Sequence, residues 1–301
     1  MTQRKRFARV NIEISNACNQ HCSFCPEVVR ETSLMPLKRF SKVIEQVAPL
    51  TERVCLHLLG EPLLHPDLER MVSVCAELGV DIFFVTNGTL LRERHHEMLL
   101  HPIVKQVNFS LHSFGDCFPS KDPRTYLNRI FEFTLLAFDR RPDLYINYRM
   151  WNLDLVDQCQ AKNAELLGRI EARFRENFDL SKLERLNVRT YKKVHVLNRL
   201  YLHFDTQFVW PSLDLPSSGS QGTCHGLSTH FGVLVDGTVV PCCLDKEGDI
   251  PLGSMLERPI AEILETPRAI AMFKGFRERQ LVEELCKRCQ YIERFTKSCD
   301  S

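Results

Sequence analysis

A chain of 301 residues, 44% of them hydrophobic, can bury one large core or a medium and a small one without disulfide staples. Its 39 lysines and arginines nearly cancel its 38 aspartates and glutamates, which argues against a general nucleic-acid binder, and Arg4 to Arg6 and Lys192 with Lys193 read as solvated surface. The sequence has no apolar signal core and no run of about 18–20 apolar residues, so a cytoplasmic protein without a membrane span is expected; there, the 13 cysteines suggest metal ligation rather than a disulfide framework.

In chain order, strands are expected at Val10 to Ser15, Val54 to Leu59, Asp81 to Thr86, Val104 to His112 and Leu144 to Trp151. A helix after the first strand carries Leu37, Phe40, Val43, Ile44 and Val47, with Pro36 suited to its first turn. A second opens near Pro66, carries Leu68, Met71, Val72, Cys75 and Leu78, and stops at Gly79. This alternation predicts an α/β chain with a parallel sheet. Asn11, Glu13 and Ser15, then Asn108, Ser110 and His112, then Asn147 and Arg149 fall on alternate strand positions. A closed barrel fills its lumen with branched apolar side chains, so a polar stripe predicts an open barrel around a polar ligand; a solvent-facing edge is the alternative. The Pro-, Ser- and Gly-rich stretch 211–222 separates a barrel region, 1–210, from a small cysteine-rich region, 223–301. In the latter, Phe231 to Val235 and Thr238 to Pro241 flank a hairpin turn at Asp236 and Gly237, and helices follow from Pro259 and Pro267.

Cys18, Cys22 and Cys25 stand in one loop after the first strand, on the face where β/α barrels gather their active sites. Three thiolates ligate three irons of a cubane and leave the fourth open to a small molecule. Zinc, with His21 as a fourth ligand, is the competing reading. The spacing C-x3-C-x2-C, with Phe24 before the last cysteine, resembles the radical S-adenosylmethionine (SAM) family. That resemblance implies an open partial (β/α)6 TIM-like barrel, a [4Fe-4S] cluster and reductive cleavage of SAM to a 5′-deoxyadenosyl radical that abstracts a substrate hydrogen. Gly60, Glu61 and Pro62 resemble the family's Gly-Gly-Glu-Pro segment, which contacts the SAM amino group; Leu59 stands in place of the first glycine. Ser110 and Arg149 fall where the family often places SAM ribose or carboxylate contacts. Thr86, Asn87 and Gly88 read as a strand-to-helix turn.

A second group comprises Cys224, Cys242, Cys286 and Cys289, with Cys243 and Cys299 as further candidates. Spacing alone leaves a four-thiolate zinc site and a fully ligated cubane equally open. The run C-x12-G-x4-C resembles the SPASM extension, or its one-cluster twitch form, and implies a second [4Fe-4S] cluster in a small α+β domain.

Such a cluster would accept one electron from a substrate radical, making the reaction a two-electron oxidation of a small molecule or peptide. Hydrogen return from Cys117 would instead give an epimerase, and modification of a protein or RNA is a further alternative. His57 and His112 are candidate proton acceptors, His112 being the one assigned a catalytic role. The resemblance implies an electron donor such as flavodoxin or ferredoxin. A metal-binding module without radical chemistry fits Gly60, Glu61 and Pro62 poorly.

Overall fold

The computed structural model describes residues 7–152, 160–175, 178 and 192–296. Arg4 to Arg6 and Cys299 lie outside the described residues. The strands are β1 (Arg9–Ile12), β2 (Arg53–Cys55), β3 (Asp81–Thr86), β4 (Val104–Ser110), β5 (Tyr145–Met150), β6 (Lys193–Leu197), β7 (Leu200–Phe204), β8 (His230–Val233), β9 (Thr238–Val240) and β10 (Gly253–Ser254). The helices are α1 (Leu37–Val47), α2 (Leu68–Glu77), α3 (His96–Leu99), α4 (Leu111–Cys117), α5 (Arg124–Arg140), α6 (Gln160–Arg173), α7 (Ile260–Leu264), α8 (Pro267–Arg277), α9 (Glu284–Lys287) and α10 (Glu293–Thr296). The fold is α/β, and its sheet is mostly parallel and open.

Two compact units emerge, one of Met1–Cys18, Cys25–Ile82 and Phe208–Ser301, the other of Asn19–Phe24 and Phe83–Gln207. In the first, β1 lies parallel to β2 on one side and to β8 on the other, Val10 opposite Phe231 and Ile12 opposite Val233. These side chains, with Phe40, Val43, Ile44 and Val54, are fully buried, and Phe7 meets Phe231 edge-on at 4.9 Å. The sequence division at 211–222 remains a proposal about modules, since compactness groups the chain from Phe208 onward with the first two strands. The hairpin of β8 and β9 closes as expected: Gly237 takes φ +95° and Asp236 accepts the Thr238 N–H at 2.9 Å. Helix α8 also opens as expected, with Thr266 capping it and Pro267 at its first position.

In the second unit β5 lies parallel to β4 and to β7, and β6 pairs antiparallel with β7. That β6–β7 hairpin escaped the sequence reading because its turn uses Asn198 at φ +50° rather than a glycine. Phe109, Phe133 and Tyr148 fill the core, with the Tyr148 hydroxyl 2.6 Å from Thr134 Oγ1.

Several boundaries differ from expectation. Pro36 caps α1 in an extended conformation instead of entering its first turn. The second strand ends at Cys55 rather than Leu59. The fourth ends at Ser110, where the Ser113 hydroxyl donates to the Ser110 carbonyl at 2.7 Å and starts α4. His112 and Cys117 are therefore helical, not on a strand and in a loop. Of the polar stripe, Asn11, Glu13, Ser15, Asn108, His112 and Asn147 are buried, which removes the solvent-edge alternative for them.

Candidate metal centres

In the first unit, Gly60, Glu61 and Pro62 join the stem of the three-cysteine loop. Gly60 has φ +78°, and a Cβ there would stand 2.3 Å from the Ser15 carbonyl oxygen and 2.8 Å from that of Ala17. The Glu61 N–H donates to Ala17 O at 2.8 Å, one residue before Cys18. Glu61 is buried, and its carboxylate accepts the Leu63 N–H at 3.0 Å. The short turn that Pro62 begins is anchored by His65, whose ring approaches the Met35 carbonyl at 3.0 Å. Leu59 packs against Leu58, Leu234 and Val240, an apolar contact that accounts for a side chain in place of a glycine. His57 follows β2 in this unit.

In the second unit, the middle of that loop is held from two directions. Asn19 and Asn87 hydrogen-bond at 3.0 Å, and Asn19 donates to Thr89 Oγ1 at 2.8 Å. Thr86, Asn87 and Gly88 thus form a turn that grips the cysteine loop. From α4, Asp116 accepts the Ser23 N–H at 2.6 Å and the Ser23 hydroxyl at 2.7 Å, while the Cys117 thiol lies 3.5 Å from Cys22 Sγ. Phe24 packs on His112 with ring centroids 4.8 Å apart.

His112 Nδ1 lies 3.1 Å from the Arg149 carbonyl, and a carbonyl only accepts, so Nδ1 carries the proton and Nε2 the lone pair. Burial, reinforced by the Arg149 charge, pulls His112 down to about 4, leaving a neutral ring of low basicity at pH 7. Ser110 and Arg149 are direct register partners on β4 and β5, and His203 on β7 is the next partner in the row. The Arg149 guanidinium lies 4.6 Å from the Trp151 ring. Burial and that same charge bring His203 down to about 4 as well.

The C-terminal thiols Cys224, Cys242, Cys286 and Cys289 converge with Cys243. Burial pushes Cys242 well up, and the neighbouring Cys243, Cys224 and Cys286 push it further. Burial likewise raises Cys286, with Cys224 and Cys289 adding to the effect. Cys289 is pushed up to about 11, chiefly by burial, with Cys224 and Cys243 contributing. So many half-buried thiols crowded together cannot all ionise unless a cation compensates them, which is the donor chemistry of a thiolate-ligated cluster. The described cysteines form no disulfide; Cys18 and Cys25 are exposed and Cys22 half-buried, so the loop offers accessible thiols to an open cluster. The donor sets therefore fit both groups.

Asp116, Ser23, Asn19 and His203 escaped the sequence reading. Each acts through a partner distant in sequence, Asp116 and Ser23 being 93 positions apart, and no local motif marks such a pairing. Among the described residues, no helix is long and apolar enough to cross a membrane.

The Radical SAM superfamily model matches residues 12–149, and that of SPASM, an iron-sulfur cluster-binding domain, matches 224–290. A GTP 3′,8-cyclase of Chlorobaculum tepidum is 31% identical over 113 residues, 35% of this chain and 34% of that protein. An S-adenosyl-L-methionine-dependent 2-deoxy-scyllo-inosamine dehydrogenase of Niallia circulans is 30% identical over 102 residues, 32% of this chain and 41% of that protein. The chain thus spans 34% and 41% of the length of these two curated relatives. The solved structure of BtrN in complex with AdoMet and 2-DOIA superimposes with a TM-score of 0.60 at 18% identity, covering 96% of this chain and 94% of that one.

Proposed function

Because the chain belongs to the radical SAM superfamily and bears a C-terminal SPASM region, we propose that it is an enzyme performing a two-electron oxidation of a small molecule or peptide. When bound, the [4Fe-4S] cluster and SAM supply a 5′-deoxyadenosyl radical by reductive cleavage of SAM. Cys18, Cys22 and Cys25 hold that cluster, and Phe24 packs beside its loop. Gly60 permits the close approach that sets Glu61 and Pro62 beside the Cys18 stem, and Glu61 binds the SAM amino group. Ser110 and Arg149 contact the SAM ribose or carboxylate. Cys224, Cys242, Cys286 and Cys289 hold the second cluster, and flavodoxin or ferredoxin is the electron donor.

The observation that carries the oxidative reading is the convergence of half-buried thiols in the C-terminal region, a group that SAM cleavage itself does not require. The relative named as a dehydrogenase supports the same outcome. His112 offers Nε2 to a substrate proton, although with a value of about 4 it takes up only a strongly acidic one. Epimerisation is the second reading, favoured by the Cys117 thiol beside the cluster loop, which would return a hydrogen atom to the substrate radical.

The test begins with anaerobically reconstituted protein, a reductant and SAM, and measures 5′-deoxyadenosine. Substrate trials start with GTP and 2-deoxy-scyllo-inosamine, the compounds named for the relatives, and extend to peptides. One 5′-deoxyadenosine per product that has lost two hydrogens supports oxidation. A product that regains hydrogen with no net oxidation replaces it with the epimerase reading, and no SAM cleavage by fully loaded protein overturns both.

A further inference from the structure

We propose that Cys117 and Gln20 are positioning residues for the cluster: the Cys22 sulfur, once a thiolate ligand, accepts hydrogen bonds from the Cys117 S–H and the Gln20 amide, and the cluster becomes easier to reduce. This rests on the radical SAM reading of the cysteine loop.

The Cys117 thiol donates toward Cys22 Sγ at 3.5 Å, within reach of a sulfur hydrogen bond. Its aim is fixed by the neighbouring residue, because Asp116 binds both the backbone N–H and the hydroxyl of Ser23. Two consecutive residues of α4 therefore hold two consecutive residues of the loop. Helix α4 is in turn set by buried Leu111 and by Phe114, which stacks on Tyr126 at 4.4 Å.

The Gln20 amide lies on the same sulfur, with Oε1 3.7 Å from Cys22 Sγ. Gln20 is only 6% exposed, yet its Nε2 has no hydrogen-bond partner. A thiol can donate to Oε1, but a ligating thiolate has no proton and only accepts. Turning the amide over lets the orphaned Nε2 donate to the sulfur and leaves Oε1 in the buried position without a partner, which costs less because a carbonyl oxygen tolerates it better than an N–H does. Hydrogen bonds to ligand sulfurs withdraw negative charge and stabilise the reduced, more negative cluster, which is how such bonds set reduction potential. Cys117 thereby gains a role distinct from hydrogen return to substrate.

The experiment is a redox titration of reconstituted protein, followed by electron paramagnetic resonance of the cluster whose signal changes on SAM addition. Cys117→Ala and Gln20→Leu should each lower the reduced-to-oxidised ratio at a fixed potential by about threefold to tenfold, tenfold being about 59 mV for one electron. Cys117→Ser keeps a donor and should recover much of the ratio. Ser23→Ala removes only the hydroxyl bond to Asp116 and keeps the backbone N–H bond that aims Cys117, so it should leave the ratio unchanged. A SAM-responsive signal with an unaltered ratio in both Cys117→Ala and Gln20→Leu overturns the proposal alone. An equal shift in Ser23→Ala also overturns it, by assigning the effect to loop looseness. A wild-type protein with no SAM-responsive signal overturns the radical SAM reading together with it.

Discussion

The two cysteine groups use the same ligand atom in opposite surroundings. Cys18 and Cys25 are exposed on a loop that hydrogen bonds hold at Asn19 and Ser23, whereas Cys224, Cys242, Cys286 and Cys289 are half-buried and crowd together so that they raise one another's pKa. An exposed group suits a cluster that must admit a small molecule to an open iron. A crowded, half-buried group of four suits a closed cluster that exchanges only electrons or holds a small fold together. Thiol count alone does not separate these roles; burial and the neighbours of each sulfur do.

The largest break in that comparison comes from changing Cys18, Cys22 and Cys25 together to Ala. Iron should fall from about eight to about four per chain, and 5′-deoxyadenosine formation should vanish. Iron and sulfide analysis beside a cleavage assay reads both. Next in size, Cys286→Ala or Cys289→Ala should also remove about four irons but spare SAM cleavage, while oxidised product drops sharply. Zinc in place of iron in the C-terminal group would end the oxidative reading. Cys243→Ala should keep about eight irons, because four other thiols complete a cubane; a loss of about four would move Cys243 into the ligand set.

What was legible in the sequence was local. The three-cysteine spacing, the segment from Gly60 to Pro62 and the hairpin turn at Asp236 and Gly237 each carry their chemistry within a few residues. What was not legible depends on partners far along the chain. Pairing of β8 with β1 joins His230 to Arg9, and nothing in either strand announces the other. Glu13 read as one more polar strand residue; its burial becomes intelligible only through Arg30, which binds it at 2.8 and 2.9 Å, and through the Val235 N–H. Cys243 was ambiguous because adjacent cysteines offer spacing no means of choosing between them.

A smaller effect sharpens the stem of the open site. Gly60→Ala must place a methyl against two backbone carbonyls at a positive φ, at a cost on the order of 2–4 kcal/mol, and should weaken SAM binding as Glu61 shifts. Gly79→Ala is the control: it also has positive φ, but nothing lies within 4 Å of the added carbon. Its cost should be near 1 kcal/mol, from backbone conformation alone. Urea denaturation and calorimetric SAM titration check both, and equal costs would show that close approach to the loop stem is not what Gly60 provides.

The smallest effect at neutral pH concerns His112, and it separates the two regions by acid. Its ring is buried against Phe24 and held near 4, whereas in the unfolded chain it takes its ordinary value of 6.5. Between those values the unfolded chain binds a proton that the folded chain does not, so stability is fully present above pH 6.5 and is lost as pH falls toward 4. The span of 6.5 to 4 corresponds to roughly 3 kcal/mol for this one ring. His203 and His230, also near 4, add losses of the same sign, so the wild-type slope is steeper than His112 alone would give. In the metal-free protein the C-terminal thiols, raised above 9, contribute nothing in this window. In metal-free protein, His112→Asn should therefore flatten the fall in melting temperature between pH 6.5 and 4 without abolishing it, and the C-terminal cysteine variants should leave the slope unchanged. Identical slopes for wild type and His112→Asn would mean that the ring takes up a proton in the folded state, and its assignment as a neutral, weakly basic group would fail.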